Sequence, residues 1–320
     1  LLHWALAFSW LEALLVGAIV SPTDPVAVVS LLRQLGMSTR LRTIVEGESL
    51  FNDGVGAALY TIVLGLMVAG PGQAGADLHI SGWRVIGATL WLIGGGGALG
   101  TLTGIAVTRV LRRIDDYRIE IAITVSVAYG VFVLADRFHT SGLLAVAFAG
   151  VILGSYGRRV GMSQRTRDAA GVVWEVVGYV ANSLLFLLLG LHVVAVQLLQ
   201  AIPGIVWAVI GVLAGRLLLV YLLVPLFNIV ARRAGPIASQ QHRRLTGPLR
   251  PLPMSWCPLL WLSGIRGALS VALVLSLPAS FPDRGALQNI VYGVVLVTLL
   301  GQGLGLRLLL PRWQGDRAVA

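Results

Sequence analysis

The chain has 320 residues, of which 57% are hydrophobic and 12% charged. Soluble domains carry about 25% charged residues, so this balance excludes an ordinary soluble fold and describes a membrane protein. The net charge of +10 does not point to nucleic acid, because the basic residues fall between long apolar runs instead of forming a patch.

The single cysteine, Cys257, rules out an intrachain disulfide and argues against a Cys-based metal site. All 24 basic residues other than His are arginine, which reads as a compositional bias. The opening LLHWALAF has no Met, no basic n-region and no small-residue cleavage site, so it is not a signal peptide. It reads as the middle of a larger protein.

A transmembrane helix needs about 20 mostly apolar residues. Nine stretches qualify: 8–35, 48–70, 83–108, 119–136, 141–156, 172–192, 203–230, 255–280 and 287–310. The first is interrupted by SPTDP (21–25). There Asp24 can cap a second half-helix that begins at Pro25, with its charge at the positive end of that half-helix. Glu12, near the outer end of this first segment, reads as an interfacial or cavity-rim acid.

The second segment is preceded and entered by IVEGESLFND (44–53), which places Glu46, Glu48 and Asp53 in apolar surroundings. On a helix Ser49 and Asp53 share a face, Asn52 lies beside them, and Glu48 stacks with Asn52 to one side. Thr23 and Asp24 can add oxygens from the broken segment. Such an all-oxygen shell suits a small hard cation, here Na+ at Asp53 and Asp24. Two carboxylates in a partly desolvated cavity cannot cheaply both stay ionised, so a proton and a cation compete for the site, and Asp53 titrates as part of a coupled set. Glu46 reads as a solvated or first-turn acid at the cytoplasmic end.

Further along, Gly94 to Gly97 would let the third segment approach its neighbours closely. Segment 141–156 is short. Glu175, placed at the start of segment 172–192, suits a helix N-terminus. Arg216 lies deep in the seventh segment and must pair with an acid or snorkel. The longest polar loop, 231–254, is too short to fold alone. The eighth segment is broken by SGIRG (263–267), with Gly264 suited to end the first half-helix and Arg266 to offset its negative end. A buried arginine needs a partner, and the expected one is Glu48 in an ion pair with Arg266; the competing reading makes Glu48 itself an ion ligand.

Alternating the nine segments places nineteen arginines on one side and three (Arg84, Arg137, Arg284) on the other, with Arg216 and Arg266 left inside segments. This follows the positive-inside rule and predicts a multi-pass protein of the plasma (inner) membrane with a cytoplasmic C-terminus. The two broken segments then run in opposite directions, as an inverted repeat requires, and broken helices of this kind build ion sites near the midplane of secondary transporters. Ordinary Pro or Gly kinks are the bland alternative, but kinks do not require Asp24 and Arg266 at membrane depth. The five histidines do not cluster, and no Ser/His/Asp or P-loop arrangement is present, so neither hydrolysis nor ATP coupling is expected. The expectation is an all-α polytopic membrane protein forming one transporter domain over 1–320, with the ion-site elements in 8–70 and 255–280.

Three motifs, SPTDPVAVVSLL, EGESLFNDG and SGIRGALSVALVLSLP, resemble those of monovalent cation:proton antiporters of the NhaP and sodium-proton exchanger type, with weaker echoes in SGLLAVAFAGVILG and WEVVGYVANSLLFLLLGL. The motif order matches over essentially the whole chain. The resemblance implies that Asp53 is the essential carrier of cation or proton, that Asp24, Thr23, Ser49 and Asn52 assist at the ion site, and that Glu48 and Arg266 form a structural ion pair. The Asn52-Asp53 dyad implies electroneutral exchange. The family fold implies about thirteen helices in two inverted repeats, a homodimer when full length, and about four helices ahead of Leu1. No cofactor is implied beyond the transported Na+ (or K+ or Li+) and H+. The function expected is therefore secondary antiport by alternating access; a non-transporting cation or pH sensor, or a passive channel, is the alternative.

Overall fold

A computed structural model describes residues 2–6, 8–34, 36–68, 82–114, 116–234 and 251–309. Most of the 231–254 loop, with Arg243, Arg244 and Arg250, lies outside the described residues, as do Arg312, Arg317, His79, His242 and the C-terminus.

The described residues are helical throughout, joined by turns. A short α1 (Leu2–Leu6) precedes a broken pair, α2 (Trp10–Val20) and α3 (Val26–Gln34). Six long elements follow: α4 (Thr39–Val68), α5 (Gly82–Leu111), α6 (Tyr117–Arg137), α7 (Gly142–Ile152), α8 (Gln164–His192) and, after a short α9 (Ala195–Gln200), α10 (Ile202–Ala234). A second broken pair, α11 (Cys257–Leu262) and α12 (Ala268–Leu275), leads into α13 (Arg284–Leu309). Among the described residues seven helices are long and apolar enough to span a membrane, one of them α7 with its continuation to Val160. With the two broken pairs they account for the nine expected segments, and both breaks fall where SPTDP and SGIRG place them.

The differences lie at the charged helix ends, which an apolar window does not see. α4 begins at Thr39, nine residues before the expected start, so Glu46 sits two turns inside the helix on an exposed face and is not a first-turn acid. α8 begins at Gln164, so Glu175 lies at the start of the fourth turn, away from the positive end. The segment that looked short, 141–156, is prolonged by a π turn at Leu153–Gly157 and a last turn at Arg158–Val160. Glu12, expected as an interfacial or cavity-rim acid, has a local structural part as well. It closes a capping box on α2, accepting from the Ser9 N–H (2.7 Å) while the Ser9 hydroxyl accepts from the Glu12 N–H (3.2 Å).

Two apolar clusters flank the breaks. One joins Leu15 and Ile19 of α2, Val271 and Val274 of α12, and Val291 and Val295 of α13. The other joins Val28 and Leu32 of α3, Leu259 and Leu260 of α11, and Leu306 of α13. α13 runs unbroken past both, and between them it turns polar, with Thr298 and Gln302 buried. A polar layer is thus sandwiched about midway along the helices, at the level of both breaks.

α5 and α7 meet along a glycine seam. A side chain at Gly100 would run into the Ala145 carbonyl, and one at Gly96 would lie 2.7 Å from the Ser141 carbonyl. Close backbone approach through small residues is how membrane helices gain contact without a hydrophobic driving force. The seam follows Gly96, Gly100 and Gly104, one residue per turn, so only part of the expected GGGG run serves it; Gly94 faces open space. Gly100→Val should lower the thermal unfolding midpoint in detergent through overpacking of about 1–3 kcal/mol. Gly94→Ala should leave it unchanged, and equal effects of the two would refute the seam.

Candidate functional site

The two breaks meet. In hydrocarbon a helix that stops leaves unpaired backbone groups, which must find partners in protein. Here each break supplies the other: the Asp24 N–H donates to the Ile265 carbonyl (2.8 Å). The carbonyl end of α2 is met by Arg266, whose Nη1 donates to the Ser21 (2.7 Å) and Pro22 (3.3 Å) carbonyls. The carbonyl end of α11 is met by Arg216, which donates to the Leu260 and Trp261 carbonyls and to the Ser263 hydroxyl. The starting ends are met by an acid. Asp24 accepts from the Val26 N–H at the head of α3 (3.0 Å), as expected from the sequence. Its carboxylate also lies over Gly267, the N-cap of α12, 2.6 Å from where a Cβ would sit. One carboxylate therefore faces the positive ends of two half-helices. Gly264 and Gly267 are required for close approach, since side chains there would occupy the space of Arg216 and Asp24.

α4 passes this crossing with two faces. Asp53, about midway along the helix, accepts at Oδ1 from the Thr23 N–H (3.2 Å). One turn earlier the buried Ser49 hydroxyl donates to the Thr23 carbonyl. Thr23, Ser49 and Asp53 are thus brought together, with Asp24 next in the chain. Gly56 lets α4 lie against Ser21 and Pro22. The second face carries Glu48 and Asn52. The Asn52 amide donates to Glu48 Oε1 (3.3 Å), so Asn52 leans towards Glu48.

Glu48 is not paired with Arg266. Its partner is Arg216 of α10, with Nη1 2.6 Å from Oε1 and Nη2 3.1 Å from Oε2. This two-pronged geometry is the fork-to-fork form of the contact. The physical reason is local: the Arg266 guanidinium is drawn to the carbonyls of Ser21 and Pro22, while Arg216 sits over the end of α11 and reaches across to α4. The pair borders a cavity of about 700 Å³ between α2, α4 and α10, lined also by Ser21, Asn52, Arg266, Trp207 and Phe227. The Glu48 side chain is 33% exposed towards it, and that of Arg216 8%. Sequence reasoning leaves Arg216 with an unnamed acid. The signal for its role is a lone charge in the middle of a 33-residue helix. Among the described residues no group of three or more His, Cys, Asp or Glu could hold a metal ion.

These contacts can be separated by double-mutant cycles. Glu48→Gln with Arg216→Gln should show a coupling of about 0.5–3 kcal/mol in unfolding stability, and Glu48→Gln with Arg266→Gln a value near zero. Arg216→Ala alone should be the most harmful, on the order of 3–5 kcal/mol, because it leaves Glu48 uncompensated and the end of α11 bare. Coupling of Glu48 to Arg266 alone would reverse the assignment.

Residues 1–312 match the family described as sodium/hydrogen exchanger, transmembrane. The low-affinity Na(+)/H(+) antiporter NhaS1 of Synechocystis is 34% identical over 294 residues, covering 91% of this chain and 52% of that protein. The Na(+)/H(+) antiporter NhaP of Pseudomonas aeruginosa is 35% identical over 312 residues, covering 98% of this chain and 68% of that one. The chain therefore spans between about half and two thirds of the length of these relatives. In fold it is similar to the sodium proton antiporter MjNhaP1 of Methanocaldococcus jannaschii at pH 8, with a TM-score of 0.74 at 19% identity over 98% of this chain and 74% of that one. The match over nearly the whole chain and the two crossed breaks agree: the chain belongs to the sodium/hydrogen exchanger transmembrane family.

Proposed function

We propose that this chain carries the ion-exchange core of a secondary antiporter that trades a monovalent cation, Na+ with K+ or Li+ as variants, for protons by alternating access. The observation that carries the reading is the Asp53 carboxylate, held halfway along a membrane-spanning helix by the Thr23 N–H of a broken one, beside Asp24. With two acids at one crossing, a proton or a cation relieves the charge on the pair, and each displaces the other. The names of the relatives, Na(+)/H(+) antiporters, support the same reading.

In this scheme Asp53 takes the proton or Na+. Asp24, Thr23, Ser49 and Asn52 offer further oxygens, and Asp24 in addition holds the half-helices together. Asn52 is neutral where a second acid would add a charge, so one proton exchanges for one cation without net current. The protein is a carrier and not an enzyme. It sits in the plasma (inner) membrane with its C-terminus in the cytoplasm, as a homodimer embedded in lipid, with no nucleic-acid partner.

The test is made in liposomes that hold an imposed pH gradient. Sodium added to the protein-bearing vesicles should dissipate the gradient, and Asp53→Asn should abolish the effect. A passive sodium channel would conduct without moving protons, so sodium entry with an intact gradient, or exchange that survives Asp53→Asn, defeats the proposal. A second measurement addresses charge: clamping the membrane potential with potassium and valinomycin should leave the exchange rate unchanged. A rate that follows the potential would rule out electroneutral exchange.

A further inference from the structure

Away from the crossing, a second cavity of about 340 Å³ opens between α6, α7 and α8. That is within the range of small-molecule sites, about 300–1,000 Å³. Its wall is apolar, with Val127 and Ala128 of α6, Val146 and Leu153 of α7, and Trp174 of α8, whose indole N–H donates to the Thr124 hydroxyl (3.2 Å). The floor is made by the absence of side chains: Gly150, Gly154 and Gly171 line the cavity, and a Cβ at any of them would meet nothing within 4 Å. A furrow of open space therefore runs along α7.

The furrow has a charged end. From Val146 to Arg158 it follows α7 for about 18 Å at the helical rise of about 1.5 Å per residue. That length is close to one leaflet of a hydrocarbon core about 30 Å thick. Arg158, exposed, and Arg167, half-buried, line the end nearest the membrane surface. Arg167 Nε donates to the Met162 carbonyl (3.2 Å), and among the described residues no carboxylate forms an ion pair with either arginine. Over residues 158–168, which border this end, arginines outnumber acids four to one.

We propose that this furrow is a binding site for an anionic phospholipid, with its phosphate between Arg158 and Arg167 and one acyl chain lying over Gly150 and Gly154. The chemistry that recognises it is a charged head joined to a chain of leaflet length. Neither a free phosphate nor a zwitterionic lipid provides both parts with a net negative charge. Basic pockets between membrane helices attract such headgroups, each arginine contributing about 1 kcal/mol near the surface. Two arginines together correspond to a roughly thirtyfold change in affinity.

The experiment is native mass spectrometry of the purified protein titrated with phosphatidylglycerol, with phosphatidylcholine and inorganic phosphate as parallel probes. Phosphatidylglycerol should be retained in preference to phosphatidylcholine. Arg158→Gln with Arg167→Gln should weaken its binding roughly thirtyfold. Gly154→Leu, which fills the furrow over open space, should remove binding while the lipid-free unfolding midpoint stays put. Equal retention of phosphatidylcholine, binding of inorganic phosphate that matches the lipid, or unaltered retention in the double arginine variant would each overturn the proposal. So would a change of oligomeric state in Gly154→Leu with lipid retention intact, since the furrow would then be a seat for a second copy of the chain. Should Gly154→Leu fail to fold, the arginine variant decides, because Arg158 is exposed and Arg167 only half-buried, so neither change opens the core.

Discussion

The architecture depends on one constraint: two helices stop at membrane depth, and their loose backbone ends have no water to turn to. Each unpaired group in hydrocarbon costs several kcal/mol. The crossing resolves this with few parts. The Asp24 N–H and Ile265 carbonyl pair directly, Arg266 and Arg216 satisfy the carbonyl ends of α2 and α11, and Asp24 faces the starting ends of α3 and α12. Helix polarity sets the signs, since carbonyl ends attract cations and amide ends attract anions. Gly264 and Gly267 then follow as requirements of space, and Glu48 as the charge that keeps Arg216 from standing alone.

Around this polar layer the two apolar clusters act as seals. α13 contributes to both and passes the breaks with Thr298 facing the crossing, where its hydroxyl accepts from the Arg266 N–H (3.2 Å). The faces of α4 divide the remaining work. Ser49 and Asp53 address the broken chain, while Glu48 and Asn52 address the cavity and α10. Little more than one turn of helix thus separates the Glu48 carboxylate, locked in a fork, from that of Asp53, which accepts from a backbone N–H at one oxygen.

Much of this is legible in the sequence, because the bilayer enforces simple rules. Apolar length locates the spans. SPTDP and SGIRG locate the breaks to the residue, since Pro and Gly beside charged side chains cannot continue a helix cheaply at membrane depth. Asp24 as a cap and the shared face of Ser49 and Asp53 follow from helical spacing alone. What spacing cannot supply is contact between distant segments. Glu48 has two buried arginines to choose from, 168 and 218 residues away, and nothing local separates Arg216 from Arg266. The choice is made by which carbonyls each guanidinium must also satisfy, a fact of three-dimensional placement. The helix starts at Thr39 and Gln164 escape sequence reading for a different reason: charged turns beyond the hydrocarbon carry no apolar signal.

The arginine composition, which reads as a bias in the sequence, has a mechanical meaning at the crossing. Arg216 binds five acceptors on two helices through three nitrogens of one flat group, and Arg266 fastens the tail of α2 from the loop between α11 and α12. A lysine has three donors spread around a point and could not hold that plane. With the Asp24–Ile265 bond, these ties leave the two breaks almost no slack: sliding one against the other by an ångström or so would strip several hydrogen bonds at once in a medium that offers no substitutes. The broken helices therefore travel together, like a riveted joint, and any motion that changes which side of the membrane Asp53 faces has to be taken up in the looser contacts around them.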